Sequence, residues 1–454
     1  MRLPNSKDLS DEQMEVYLEA PIEGDVLVTG PPGTGKTVIA MFRAGYLVKK
    51  RRSPTVVMFN SVLRNYTGNA AGGEFETSTL HSWANSWWEN LDIPVDCVQP
   101  LSSVLVDCPA DERPEINRLG GRYDFYKRKV RVRADAYELH RSKIRWPVVP
   151  AFPHGDSVLE LNWRGALNAI ANAYARAGLN PKSIDWGHLI VDEAQDFGNE
   201  LWEMFRVIRQ IMFKDNRGPV PALTVLADEN QRIFENNSTI DEIRQGLSIA
   251  KEREYQLTRN YRNTKETAML AREFYVGLET GIPKLPSRGG DKPKLVRAQS
   301  YNACIGYIAR YARMHDNEEI GIILRKNSLV AQYAGILAEK LKDKKAIKVQ
   351  AYASDIKEYK NARKLVFDKP GHITVVNRAS CKGLEFDAVF IPELHSYSAD
   401  DALQDQPKMD MYVMISRARN RVFLIYQGSP GSPIPQFVSK LPGPDSGLLE
   451  WCDA

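Results

Sequence analysis

The stretch Gly30-Pro31-Pro32-Gly33-Thr34-Gly35-Lys36-Thr37 packs three glycines, a lysine and two hydroxyls into one short run. Glycines so spaced let backbone N–H groups turn inward around phosphate oxygens at a helix N-terminus. The expected phosphate contacts are therefore Gly30, Gly33, Thr34, Gly35, Lys36 and Thr37, with Lys36 reaching the β/γ-phosphates and Thr37 ligating Mg²⁺. A second cluster, Asp192-Glu193-Ala194-Gln195-Asp196, follows the apolar run His188-Leu189-Ile190-Val191. There Asp192 is the second expected Mg²⁺ ligand, and Glu193 the group that orients and deprotonates an attacking water. A carboxylate base at that point favours hydrolysis of a nucleoside triphosphate over transfer to another substrate.

These residues need a scaffold that ends strands in loops. Asp25-Val26-Leu27-Val28 reads as a strand running into the glycine loop, and VIAMFRAGYLVKK after Thr37 reads as a helix. Strand–helix alternation continues through the chain, with strands near 25–29, 55–59, 187–191 and 222–227 in the first half. In the second half they are expected near 254–258, 293–297, 319–324, 372–376, 387–391 and 421–426. The pattern is α/β, with parallel sheets flanked by helices. Residues 162–177 have helical spacing, 281–294 read as an exposed Pro/Gly-rich loop, and the residues after Gly428 read as irregular, their last part ordered only by docking. The 454 residues, 43% hydrophobic and 26% charged, suit a soluble multidomain protein. No apolar run approaches membrane-spanning length, and the N-terminal residues lack the apolar core of a signal peptide. Five scattered cysteines, Cys97, Cys108, Cys304, Cys381 and Cys452, carry no zinc or disulfide spacing, so reduced thiols in a cytoplasm are expected.

Further matches follow in order: LADENQRI from Leu226, LTRNYRN from Leu257, CKGLEFD from Cys381 and YVMISRAR from Tyr412. Together with the glycine loop and DEAQD, this ordered set resembles superfamily 1 helicases of the UvrD/Rep-like branch, in a compact form. The resemblance implies two RecA-like P-loop domains with the nucleotide between them. The first would span 1–253, with an accessory insertion at about 88–185; the second would span 254–430, followed by a tail at 431–454. It also implies arginine fingers at Arg262 and Arg417, worth roughly 10³–10⁵ in rate where such groups act. By the same resemblance Tyr261 stacks on the base, Glu385 binds the ribose and Gln231 couples the γ-phosphate to the track. Gln13 reads the adenine edge, which makes ATP the expected nucleotide. Arg419 is expected in an ion pair or a backbone contact.

A translocating motor needs contacts that hold a strand without reading it. Asn60, Thr79, His81 and Phe234 are the expected ones, Thr79 and His81 by likeness to the family's TxHx motif; His81 reads equally as a packed residue. The segment Arg118–Trp146 carries ten Lys/Arg against three acids, with aromatics interleaved. It reads either as a strand-binding accessory surface or as a solvated or partner-docking face.

Three departures bear on function. Only 118 residues separate Asn263 from Lys382, too few for a large insertion in the second domain. Asn236 stands where the family places a stacking tryptophan, and Asn377 and Ala379 replace a threonine and a histidine before KGLEF. The leading expectation is an ATP-dependent translocase or helicase on single-stranded DNA rather than RNA, moving 3′→5′. The alternative is a regulatory ATPase subunit that works beside a nuclease or other effector, in antiphage defence among other settings, with weak or no unwinding.

Overall fold

The computed structural model describes residues 4–59, 61–125, 127–155, 160–214, 220–231 and 237–454. Two all-parallel sheets dominate it. In the first, the strand order is Glu254–Gln256, Val26–Thr29, Ala222–Ala227, His188–Val191, Pro54–Met58, Glu76–Thr79. Val26–Val28, His188–Val191 and Ala222–Ala227 are buried along their length, which is why they read as continuous apolar runs rather than alternating ones. Their C-terminal ends are neighbours, so the loops after Thr29, Val191 and Ala227 converge, as ligand-binding loops of open parallel sheets do.

The second sheet runs Lys348–Tyr352, His372–Asn377, Ile320–Leu324, Phe386–Ile391, Ala418–Gln427, Lys294–Ala298, Glu450–Asp453. Two of these strands escape a sequence reading. Lys348–Tyr352 is a half-buried edge, and Glu450–Asp453 is a polar one docked only against Lys294–Arg297. The strand expected at 254–258 to open the second domain belongs instead to the first sheet, where Leu27, Val28 and Thr29 pair with Glu254, Tyr255 and Gln256. Its three residues adjoin a buried strand whose outer edge would otherwise present unpaired backbone groups. The crossover to the second lobe therefore begins after Gln256.

Within the first lobe, Ser103–Val106, Gly121–Asp124, Lys129–Arg133 and Val148–Pro150 form a small antiparallel sheet with its own core of Val104, Val106, Ile116, Val130, Val132, Tyr137 and Trp146. Helix Trp163–Ala177 closes this insertion; Asn162 caps it by accepting from Gly165 N at 2.7 Å, and Gly178 ends it at φ 65°. The lobes meet along helix Ser61–Ala71: Leu63 and Tyr66 share a core with Leu365, Cys381 and Leu384, and Asn65 donates to Ala362 O at 3.1 Å. The five cysteines are free thiols, all but Cys452 buried. Among the described residues, no helix is long and apolar enough to cross a membrane.

Candidate active site between the lobes

Gly33 and Gly35 both take positive φ, 83° and 87°. Gly33 has a second constraint: a Cβ there would lie 2.3 Å from Asn260 Oδ1. The glycine loop and the Asn260-Tyr261-Arg262-Asn263 loop therefore press together, joined by Tyr261 N donating to Gly33 O at 2.8 Å. Helix Lys36–Lys49 begins directly after the loop and aims its unpaired N-terminal N–H groups at it. Lys36 is buried, with Nζ donating to Gly30 O at 2.5 Å and lying 3.7 Å from Asp228.

Thr37 Oγ1 donates to Asp192 Oδ2 at 2.6 Å, so a hydroxyl and a carboxylate converge from two strand ends. These are the hard oxygen donors that Mg²⁺ takes. Burial and the neighbouring Glu193 raise the Asp192 carboxyl to about 6, against the Thr37 hydrogen bond and Lys36. Glu193 sits in the left-handed region, φ 54° and ψ 43°, a conformation that costs a non-glycine residue on the order of 1 kcal/mol or more. Burial would raise its carboxyl, but Lys382, Lys36 and Arg417 outweigh that and hold it below the usual range.

From Glu193 a chain of hydrogen bonds crosses the cleft. Gln195 Nε2 donates to Glu193 Oε2 at 2.6 Å, and Gln195 Oε1 accepts from Asp228 N at 2.9 Å. Gln231 Nε2 donates to Asp228 Oδ2 at 2.5 Å, and Gln231 Oε1 accepts from Arg417 Nη2 at 2.7 Å. All of these side chains are buried, Arg417 to within 1%.

The same cavity is lined by Pro32, Gly33, Gly35, Lys36, Thr37, Glu193 and Gln231 from one side and by Arg262, Gly383, Glu385 and Arg417 from the other. Arg262 is held by Glu385, Nη2 to Oε1 at 2.7 Å, and its loop is anchored to the second lobe by Asn263 Nδ2 donating to Ser416 O at 3.1 Å. Burial acts to raise the Glu385 carboxyl; Arg262 and Arg419 overcome it and set it at about 2. Arg419 lies within 3.6 Å of four carboxylates, Glu319, Asp368, Glu385 and Asp387, the ion-pair role expected for it.

Other expected residues fall near the cavity without lining it. Gln13 is buried against the glycine loop, with Nε2 donating to Thr34 O at 2.9 Å and Oε1 accepting from Ser10 N at 3.0 Å. Tyr261 keeps 46% of its surface exposed, and the Arg259 guanidinium lies 5.6 Å from its ring centre. Thr79 caps helix Leu80–Glu89, accepting from Ser82 N at 3.3 Å, and His81 sits in that helix's first turn. Both lie at the same C-terminal end of the sheet as the glycine loop but beside the outermost strand, four strands away. Asn60 and Phe234, and also Asn236, lie outside the described residues.

Much of the basic charge of Arg118–Trp146 is paired within the insertion and its base. Lys127 and Lys129 reach Glu89, Arg131 reaches Asp124, Arg141 reaches Asp96, and Arg145 reaches Glu112 and Glu115. Of its aromatics, Tyr137 and Trp146 are core, while Phe125 is 82% exposed.

Lys382 has no role of its own in the sequence reading of the CKGLEFD motif, yet its Nζ lies 2.7 Å and 2.8 Å from the two carboxylate oxygens of Asp196 in the other lobe. Its signal is a lone charge in the run Cys381-Lys382-Gly383-Leu384: a lysine among buried residues must find a partner. Arg288, from the exposed loop, was also missed; it donates to Arg262 O at 2.6 Å and steadies that backbone.

A family profile described as an AAA domain matches residues 13–237, just under half of the chain. The matched span runs from Gln13 through the glycine loop and the Asp192–Glu193 pair, so the phosphate-loop half of the cavity falls inside it. A protein of Acanthamoeba polyphaga mimivirus, provisionally named an ATP-dependent DNA helicase, is 24% identical over 263 residues, 56% of this chain and 36% of the viral protein. The match thus spans about a third of that relative's length. Among solved structures, the C-terminal domain of a possible DNA helicase from Lactobacillus plantarum WCFS1 aligns at 20% identity and a TM-score of 0.31, covering 42% of this chain and 98% of that one. A likeness of that size carries no argument.

Proposed function

We propose that this chain hydrolyses ATP between its two lobes and uses the cycle to move on single-stranded nucleic acid, DNA in preference to RNA, in the 3′→5′ direction. The observation that carries the reading is the single cavity that brings Lys36, Thr37 and Glu193 face to face with Arg262 and Arg417. A switch or kinase has no need for two arginines facing the glycine loop from the second-lobe side of the cleft; a motor does, because domain movement must follow the state of the γ-phosphate. The mimiviral relative's name and the ordered motifs support the same class.

The roles follow from position. The glycine-loop amides and Lys36 bind the phosphates. Thr37 and Asp192 would hold Mg²⁺, which when bound neutralises phosphate charge. Glu193 accepts the proton of the attacking water at Oε1, since Gln195 holds Oε2. Arg262 and Arg417 stabilise charge developing on the γ-phosphoryl group. Gln231, bonded to Arg417, transmits that charge change toward the strand. Tyr261 offers an exposed face to the base, Gln13 selects adenine, and Glu385 meets the ribose beside Arg262.

ATPase rate measured against single-stranded DNA, duplex DNA and RNA at several salt concentrations tests this. A many-fold rise with single-stranded DNA, falling steeply with salt, is expected. A rate indifferent to every polymer would count heavily against a motor.

The second reading, a regulatory ATPase subunit, is favoured by the internal pairing of the insertion's cations, which leaves less charge for a strand. It predicts ATP-dependent control of a stoichiometric nuclease partner, with no unwinding by the isolated chain.

A further inference from the structure

The contact between Lys382 and Asp196 joins the lobes at a point where neither charge is in water. The side chains are 1% and 0% exposed, and Nζ sits between the two carboxylate oxygens at 2.7 and 2.8 Å. Among the described residues Lys382 hydrogen-bonds to no other group. Asp196 also accepts from Asn237 Nδ2 at 3.4 Å, so it is the buried Lys382 ammonium whose charge the pair must balance; docked lobes without the pair are disfavoured, whereas separated lobes let both groups hydrate.

Each partner belongs to a short hydrogen-bonded turn that borders the cavity. On the first lobe Asp196 ends the turn that Glu193 begins: Asp196 N donates to Glu193 O at 2.9 Å, and Phe197 N donates to Ala194 O at 3.1 Å. Glu193 and Asp196 are thus two ends of one hydrogen-bonded unit, with Gln195 between them gripping the Glu193 carboxylate. On the second lobe Lys382 is followed by Gly383, at φ 73°, where a Cβ would lie 2.3 Å from Leu63 of the first lobe. Gly383 and Glu385 line the cavity itself.

We infer that the Lys382–Asp196 pair is a docking key: it forms only when the lobes are together, and by fixing the Ala194–Asp196 turn it sets Glu193 in place, confining hydrolysis to the docked state. Lys382 is then a positioning residue, acting on the reaction through Asp196 and the turn. The part concerning hydrolysis rests on the ATPase reading above; the part concerning docking does not.

The test uses the full chain and two readouts, lobe separation by X-ray scattering with and without ATP, and steady-state ATPase. Lys382→Glu sets two carboxylates against each other and is expected to enlarge the radius of gyration and to lower kcat roughly tenfold or more, with a smaller change in KM because the glycine loop is untouched. The exchange Lys382→Glu with Asp196→Lys is expected to recover part of both. Lys382→Met, which keeps the stem and drops the charge, provides a folded variant should the repulsive one fail, and is expected to lower kcat in the same direction. Unchanged scattering and unchanged kcat in Lys382→Met overturn the inference, as does a loss that the charge exchange does not recover at all. A wild-type chain without ATPase activity removes the hydrolysis reading alone, since the scattering comparison still decides whether the pair docks the lobes.

Discussion

Arg417 Nη2 donates to Gln231 Oε1 at 2.7 Å, although the two residues lie 186 positions apart and in different lobes. Gln231 is in turn bonded to Asp228, which faces Lys36 at 3.7 Å. Arg417, the arginine proposed to act on the γ-phosphate, is therefore wired, by three contacts, to the floor of the glycine loop.

Breaking that wire should separate binding from turnover. Arg417→Ala is expected to lower kcat by about 10³-fold or more, in the range seen for arginine fingers, with a modest change in KM. Gln231→Ala should leave basal ATPase closer to wild type while weakening its stimulation by single-stranded DNA. A double-mutant cycle on kcat should show a coupling of about 0.5–3 kcal/mol, because the groups touch; additive effects would mean that the contact plays no part in turnover.

Lys36→Ala and Glu193→Gln should fail differently. Losing Lys36 removes a phosphate-binding charge, so nucleotide affinity measured by titration falls along with activity. Glu193→Gln retains the shape and loses the base, so nucleotide still binds while turnover falls on the order of 10²–10⁴-fold. Equal affinity loss in both variants would remove the general-base assignment.

Gly33→Ala tests the contact between the two loops. At φ 83°, with a Cβ only 2.3 Å from Asn260 Oδ1, alanine is both strained and obstructed. The expected result is loss of nucleotide binding and ATPase in a chain whose melting temperature drops by only a few degrees, as for a cost on the order of 1 kcal/mol. Wild-type affinity in this variant would show that the loops need not touch.

His188 predicts an acid-side instability. Burial, assisted by Arg43 and Arg52, lowers its imidazole to about 3, and its Nε2 pairs with Thr224 Oγ1 at 2.9 Å. Between that value and the ordinary histidine range near 6.5 the unfolded chain binds a proton that the folded one refuses, so unfolding is favoured as pH falls. Stability is fully present above about 6.5, and the contribution lost by pH 5 is on the order of 1–2 kcal/mol. Denaturant melts from pH 7.5 to 5 should show this slope, and His188→Gln should flatten it. An unaltered slope in the variant would assign the acid sensitivity to other groups.

Much of the site was legible in the sequence, because each part is encoded locally. The glycine loop needs its φ values and its lysine within eight residues, and Asp192–Glu193 announce themselves as acids at the end of an apolar strand. The parallel sheets were legible for a similar reason: strands buried on both faces are apolar throughout. Strands without that burial left no trace, as in the half-polar Lys348–Tyr352 and the docked edge Glu450–Asp453. Strand Glu254–Gln256 is legible as a strand but not as a member of the first sheet, since its residues carry no record of the neighbour they pair with.

By itself the sequence determined what each lobe brings: a glycine loop with its lysine and a pair of acids from one, arginines from the other. Only the tertiary structure decided that Arg417 is bonded to Gln231, that Glu385 holds Arg262, and that Lys382 is buried on Asp196. The cause is physical. A backbone conformation or an apolar run is written in adjacent residues, whereas a buried charge shows only that a partner must exist, and the partner's identity depends on how the two sheets dock.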